Sequence, residues 1–302
     1  MEVIKRDYEN AIDMILSSKS DDDSELFQQW KNRFVDVDVE NREAAEKAAA
    51  QKLLPTLKRF MHTESAVVRA LIQKPLDYKG AFNAITKTMR MMFMHAFQSF
   101  LWNKVASFRI QELGPNVVKG DLVVLVSSED GADTDVAVSR SGLPSVHIVT
   151  EEDVRDNTYT LEDLVLPLIG AKTVDPSNAC GAQFDSILEQ NKLKREMILS
   201  VTDRDYNCAG DYRKLICRPT DIDFELLQYK EELAPLIETD LMKIQGTAAK
   251  HAPGGSLNAI HVGFSLPSSS YATMFLRELM KRPTSMAYQS ALQLGGGSTA
   301  GL

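Results

Sequence analysis

Three consecutive serines, Ser268 to Ser270, stand in the stretch FSLPSSSYATMFLREL. Before them apolar residues alternate with polar ones, which predicts a half-buried strand, and after them apolar residues recur every three or four positions, which predicts a helix. A hydroxyl of Ser269 or Ser270 could therefore accept a hydrogen bond from a first-turn amide and cap that helix. Clustered hydroxyls beside free amides could equally hold a phosphate. The pattern alone leaves both chemistries open.

A second kind of chemistry is suggested by the basic residues Arg213, Lys214 and Arg218 in the stretch GDYRKLICRP. The whole chain has a formal net charge of −8, from 34 Lys and Arg against 42 Asp and Glu. Such a chain has no overall field that attracts nucleic acid, so a polyanion must bind a local patch. These three residues are the candidate phosphate-binding patch. Charges that protect a solvated strand edge explain them at least as well.

The longest periodic segment, TKTMRMMFMHAFQSFLWNKVASFRIQELG, predicts a helix that ends near Gly114. Its stripe of Met and Phe is typical of a side that packs into a core. The exposed side is polar near Trp102 and carries His95, Gln98, Asn103 and Lys104. The sequence does not decide whether that side meets solvent, RNA or another domain.

The spacing of reactive residues disfavours several common kinds of site. The five histidines are scattered, and the three cysteines include no C-x-x-C pair, so a metal site is not expected. The stretch GFSLP has Pro267 where the nucleophile elbow of a serine hydrolase needs a small residue. Neither a G-x-G-x-x-G motif nor a P-loop occurs.

The composition indicates whether the protein folds and in which compartment it works. The 302 residues are 44% hydrophobic and 25% charged, which is typical of a folded protein. The odd number of cysteines favours reduced, intracellular thiols over a disulfide framework. We find no signal peptide and no apolar run of the roughly 18 to 20 residues that cross a bilayer. We therefore expect an intracellular protein, in the nucleus or the cytoplasm, that does not bind membranes.

The order of elements predicts helices up to Gly114 and a mixture of strands and helices after it. The stretches GDLVVLVS, SVHIVT, GDYRKLICRPTDIDFELLQY and AIHVGFSL are typical of strands. The stretch TEEDVRDN predicts a turn or short helix capped by Thr150, and TLEDLVLPLIG predicts a helix that ends near Pro167. The Gly- and Ser-rich end of the chain predicts a flexible linker.

Three segments together resemble the TruD family of RNA pseudouridine synthases, in its eukaryotic branch: HAFQSFLWNKVASFRI, GDYRKLICRP and FSLPSSSYATMFLREL. They follow the family's order and spacing. The resemblance implies an α+β fold, in which a mixed, largely antiparallel catalytic sheet is interrupted by an α/β insertion domain. On this basis we assign residues 1–84 to a helical connecting region of the catalytic domain and 85–207 to the insertion domain. Residues 208–290 would be the C-terminal return of the catalytic sheet, and 291–302 a flexible tail.

The resemblance also implies an activity, the isomerisation of uridine to pseudouridine in RNA without a cofactor. The substrate would be tRNA, typically at position thirteen, and other RNAs. The resemblance places Phe264, Ser270 and Tyr271 at the uridine pocket, although a helix cap and a core aromatic ring explain the last two equally well. The residues expected to bind RNA are Arg213, Lys214, Arg218, Gln98, Asn103 and Lys104.

The family's catalytic aspartate lies in a K-D-K-like segment that does not occur in this chain. The stretch KRDYENAIDMIL resembles the family just downstream of that segment, so we interpret the chain as a C-terminal portion without a catalytic residue, inactive alone. A sheet divided at that point would expose apolar strand surface and favour a dimer. The alternative is a noncatalytic RNA-binding or protein-interaction module that keeps the fold.

Overall fold

The computed structural model describes residues 1–17, 25–125, 143–199, 210–231, 235–247, 254–267 and 270–283, together with residues 233, 249, 285, 286, 288 and 290. The chain divides into two compact units, Met1–Leu215 and Ile216–Leu302. The predicted flexible tail, the last twelve residues, lies outside the described residues, as do Ser268 and Ser269.

The first unit begins with helices and continues with a sheet flanked by further helices. Its helices are α1 (Tyr8–Ile15), α2 (Glu25–Lys31), α3 (Arg42–Leu53), α4 (His62–Gln73), α5 (Tyr78–Asn83), α6 (Lys87–Leu113), α7 (Glu151–Arg155), α8 (Ala179–Gln190) and α9 (Arg195–Leu199). Its strands are β1 (Leu122–Val124), β2 (Val146–Ile148), β3 (Leu164–Leu168) and β4 (Asp211–Lys214). The described helices include none that is long and apolar enough to cross a membrane.

One hydrophobic core runs through most of the first unit. It extends in sequence from Ile4 to Ile198 and includes Trp30, Phe82 and Phe184, which are at most 2% exposed. Residues from both sides of position 84 therefore pack into the same core, and the compact units divide at Leu215 instead. The assignments to a connecting region, an insertion domain and a returning sheet stay predictions.

The four strands of the first unit form an antiparallel sheet in the order β2-β1-β3-β4. The prediction of a helix over TLEDLVLPLIG is wrong, because Leu164–Leu168 is strand β3. Its first three residues are at most 3% exposed, so the strand is buried on both faces and shows no alternation of apolar and polar residues. Such a short apolar run cannot be told from a buried helix by its period.

Several predicted elements are confirmed where the local signals are strong. Helix α6 ends at Gly114, whose φ of +74° is a conformation that glycine adopts without strain. Thr150 caps α7 in a capping box with Asp153. The hydrogen bond between His147 and Asp153 (Nε2 to Oδ2, 2.8 Å), together with bonds from Thr150, lowers the pKa of Asp153 to about 2.

The second unit contains a two-stranded antiparallel hairpin of β5 (Thr220–Tyr229) and β6 (Leu257–Ser265), and the helices α10 (Asp240–Gln245) and α11 (Ala272–Met280). Both predicted strands and the helix after Tyr271 are therefore confirmed. Leu226 pairs with Ile260 across the hairpin, and alternate residues share a face, so Phe224 lies on the same face. These three residues, named here the apolar face, are 65 to 72% exposed.

A buried ion pair holds the C-terminal end of α6 to the start of the sheet. Arg109 donates from Nε and Nη2 to the two carboxylate oxygens of Asp121, at 2.8 and 2.7 Å. Its other bonds go to the carbonyl oxygens of Gly114 and Asn116, both at 2.7 Å. Arg109 is 0% and Asp121 3% exposed, so both charges are removed from water, and each nitrogen of the guanidinium donates at least one hydrogen bond.

We expect the substitution Asp121→Ala to destabilise the first unit by about 3–5 kcal/mol, because it leaves the Arg109 guanidinium buried without its counter-charge. Both tryptophans of the chain, Trp30 and Trp102, lie in this unit, so tryptophan fluorescence during urea unfolding measures its stability. The matched control is Glu151→Ala, which breaks the exposed pair with Lys119. An equal midpoint for the two variants would contradict a central role for the buried pair.

Candidate functional site

Helix α6 is fixed against β3 by two side chains that lie one turn apart. The Gln98 amide donates to the carbonyl oxygen of Ile169 at 2.9 Å, and the Trp102 indole donates to that of Leu166 at 3.2 Å. Because residues four apart share a face of a helix, both side chains point to the sheet. These bonds fix which side of α6 is left for solvent.

The prediction that Gln98 lies on the exposed side of α6 is wrong. Gln98 is only 4% exposed, and its side-chain oxygen lies 3.1 Å from Nδ1 of His95. The amide thus contacts the carbonyl of the residue that follows β3 and the ring of His95 instead of solvent. A polar side chain on a helix can mark such an internal contact as readily as a surface.

The solvent side of α6 is defined here as Phe100, Asn103 and Lys104. The sequence predicts that Asn103 and Lys104 are exposed, whereas it predicts that Phe100 packs into the core with the Met and Phe stripe. Asn103 and Lys104 are exposed, and Phe100 is 36% exposed. The Lys104 ammonium lies 6.0 Å from the centre of the Phe100 ring, at the edge of cation–π distance. A cation beside an exposed ring can bind a phosphate and stack on a base, but RNA binding by these residues stays a prediction.

Arg213 lies on the opposite, sheet-facing side of α6. It pairs with Leu166 in the sheet, and its guanidinium carbon lies 5.4 Å from the centre of the Trp102 ring. Both side chains are half-buried. This contact could not be predicted from the sequence, because the two residues are far apart in the chain and no motif near either residue indicates the other.

The predicted basic patch is divided by the strand that carries it. Consecutive strand residues point to opposite faces, so the side chain of Lys214 lies on the face opposite to that of Arg213. Arg218 is exposed and belongs to the second unit. Because β4 is the edge of the described sheet, RNA could still reach both faces there, and the joint role of the three residues stays a prediction.

In the second unit, Phe264 connects strand β6 to helix α11. Its ring centre lies 4.1 Å from that of Phe275, with the rings tilted by 46°. Tyr271 is the N-cap of α11, and its ring is 59% exposed. A core aromatic ring would be buried, so the structure disfavours that explanation of Tyr271. A role at a uridine pocket stays a prediction for both residues.

The prediction that Ser270 caps α11 is wrong. The N-cap residue is Tyr271, and its own side chain makes no capping hydrogen bond; Ser269, the other candidate, lies outside the described residues. The backbone amide of Ser270 instead donates to the carbonyl oxygen of Pro267 at 3.3 Å. Because the N-cap is Tyr271 and not Ser270, the half-buried Ser270 hydroxyl is left for another role.

Comparison with known proteins identifies the family. The sequence matches the family described as "TruD: tRNA pseudouridine synthase D (TruD)" over residues 1–279. The chain belongs to this family. A crystal structure from Methanosarcina mazei assigned to TruD has a similar fold, with a TM-score of 0.59 and 22% identity over 93% of this chain and 56% of that one. The predicted α+β fold of the TruD type is thereby confirmed.

Curated relatives place the chain near the eukaryotic members of the TruD family, as predicted. The "Multisubstrate pseudouridine synthase 7" of Schizosaccharomyces pombe is 30% identical over 96% of this chain and 43% of its own length. The human "Pseudouridylate synthase 7 homolog" is 30% identical over 96% of this chain and 40% of its own length. This chain thus spans less than half the length of either relative.

The described residues include no group of three or more His, Cys, Asp and Glu side chains that could hold a metal ion. What the described site offers a ligand is therefore aromatic rings, amides, hydroxyls and cations. Groups of these kinds can bind and orient a nucleic acid. The contacts of the described residues do not identify a carboxylate that could transfer a proton.

We expect Phe264→Ala to destabilise the second unit by about 1 kcal/mol or more, since an aromatic pair contributes about 0.5–1.5 kcal/mol beyond its buried area. Tyr271→Ala should change stability by less than about 0.5 kcal/mol, because exposed side chains contribute little. Hydrogen exchange of the amides that pair β5 with β6 measures the stability of this unit. A larger loss of protection from Tyr271→Ala would show that the ring is packed.

Proposed function

We propose that this chain is part of an RNA pseudouridine synthase that isomerises uridine in tRNA, at position thirteen, and in other RNAs. The observation that carries the proposal is the match to the TruD family over residues 1–279. Both relatives are named as pseudouridine synthases, and one of them is called multisubstrate. We further propose that the protein works in the nucleus or the cytoplasm.

The proposed reaction balances without a redox partner. The bond from uracil N1 to ribose C1′ breaks, a bond from C5 to C1′ forms, C5 loses a proton and N1 gains one. The base must leave its stack to turn over, which costs a few kcal/mol that contacts with the protein offset. A carboxylate near C1′ or C6 would assist the bond cleavage, and we propose that it lies outside this chain.

The exposed ring of Tyr271 supports a role beside the flipped uracil. The backbone carbonyl of Tyr271 accepts from the amides of Met274 and Phe275, which holds the residue at the start of α11, and its side chain is 59% exposed. Phe264 would form the backing wall, since its contact with Phe275 holds β6 and α11 together. The half-buried Ser270 hydroxyl would donate to or accept from a polar edge of the uracil.

RNA outside the target nucleotide would contact the solvent side of α6 and the edge strand β4. Lys104 and Lys214 are exposed cations, which suits phosphate binding, and Asn103 is an exposed amide. Arg213 would contribute through its stack on Trp102. Arg218 would add a further basic contact from the second unit.

Two further proposals come from the apolar face of the hairpin. An exposed patch of this kind marks a surface that another chain or segment covers. In a protein longer than this chain that segment would be the rest of the catalytic sheet, and in this chain alone it would be a second copy, giving a dimer. The alternative function, a noncatalytic module with the same fold, is favoured by the missing aspartate motif.

The experiment compares the complete product of the gene that encodes this chain with the 302-residue chain alone. Each is incubated with a tRNA transcript, and pseudouridine is detected by carbodiimide modification and primer extension. We expect turnover by the complete product and none by the chain alone, because the chemistry needs the carboxylate. Absence of turnover by the complete product, with RNA still bound, would favour the noncatalytic module.

In the complete product, Tyr271→Ala should raise the activation free energy by about 1–3 kcal/mol if the ring stacks on the base. The matched control is Tyr229→Ala, a half-buried tyrosine at the end of β5. If the Tyr271 variant is as active as the unchanged protein, Tyr271 does not contact the flipped base.

A further inference from the structure

One stretch of the first unit, residues 42–90, has a net charge opposite to that of the chain. Residues 42–90 contain ten Lys and Arg against four Asp and Glu, whereas the whole chain contains 34 against 42. The field of an acidic chain repels a polyanion, so a locally basic region is where one can approach. The basic stretch runs from α3 to the start of α6 and includes the connection between α3 and α4.

The strongest local feature in this region is the turn from Lys58 to His62, named here the KR turn. The amide of Met61 donates to the carbonyl oxygen of Lys58 at 2.9 Å, which closes a turn with Arg59 and Phe60 at its tip. Lys58, Arg59 and His62 are exposed, and the Phe60 ring is 74% exposed. Two cations and an aromatic ring thus project together into solvent ahead of α4.

The cations of the KR turn are not neutralised within the part of the chain that the structure describes. Neither Lys58 nor Arg59 forms an ion pair there, whereas the exposed Lys119 pairs with Glu151 and the exposed Arg155 pairs with Glu152. Unpaired cations keep their full attraction for an external anion and release that anion's counterions when they bind it.

We propose that the KR turn is a second RNA-binding site, in which Lys58 and Arg59 contact backbone phosphates and Phe60 stacks on an unpaired base. The inference rests on the proposed function, since it concerns the same RNA. A single exposed Phe is ordinary by itself. Its place between two unpaired cations and a histidine favours RNA over an acidic peptide, because a nucleotide offers a phosphate and a flat ring at once.

The test measures binding of the 302-residue chain to a fluorescein-labelled tRNA transcript by anisotropy, from about 50 to 200 mM KCl. Removing two phosphate contacts with Lys58→Ala and Arg59→Ala should reduce the slope of log affinity against log salt by about 1.4–1.8. Phe60→Ala should leave the slope unchanged and weaken binding by about 5- to 140-fold, the range expected for one stacked base.

Two further double variants make the outcomes distinguishable. Lys119→Ala with Arg155→Ala removes the same formal charge from paired positions and should leave the slope unchanged. Lys104→Ala with Lys214→Ala tests the surface invoked by the proposed function. A reduced slope for this pair, with an unchanged slope for the KR-turn pair, would overturn the second site and leave the proposed function standing.

The remaining outcomes are also decisive. One such outcome is that the double variant Lys119→Ala with Arg155→Ala reduces the slope of log affinity against log salt as much as the KR-turn pair does. That result would show a general effect of net charge and would overturn the site. Normal binding by Phe60→Ala would overturn the stacking contact. If the unchanged chain binds no RNA, the second site is overturned, while turnover by the complete product still tests the proposed function separately.

Discussion

The arrangement of the first unit depends on the buried pair between Arg109 and Asp121. A buried guanidinium is tolerated only when its charge and its donors are all met, and here the carboxylate and two loop carbonyls meet them. The carboxylate in turn accepts from the amide of Val118 at 2.9 Å and from the side chain of Asn178 at 2.9 Å. One carboxylate therefore ties together the end of α6, the start of β1 and the N-terminus of α8.

That constraint explains how α6 presents its sides. With its C-terminal end fixed by Arg109 and its middle fixed by Gln98 and Trp102, the helix cannot rotate about its axis. The side that remains for solvent carries a lysine, an asparagine and a partly exposed phenylalanine. Trp102, which the same contacts turn to the sheet, becomes the ring on which Arg213 stacks. Packing thus decides which polar residues of the helix can meet a ligand.

Local signals predicted much of the fold. Periodicity predicted α6, β5, β6 and α11, and a glycine and a threonine predicted where α6 ends and α7 begins. The sequence failed where an element is buried on both faces, as in β3, and where a side chain's partner is distant in sequence, as for Gln98 with Ile169. For the candidate site, motifs pointed to the family and to Tyr271, but they could not reveal that strand alternation separates Lys214 from Arg213.

We propose that RNA contacts α6 in the first unit and the start of α11 in the second unit. The most direct measurement is photocrosslinking of the complete gene product to a tRNA transcript that carries 4-thiouridine, followed by mass spectrometry of the crosslinked peptides. We expect crosslinks in the peptides that contain Phe100 to Lys104 and in the peptide that contains Tyr271. Crosslinks confined to other parts of the protein, with both of these peptides unmodified, would contradict the account.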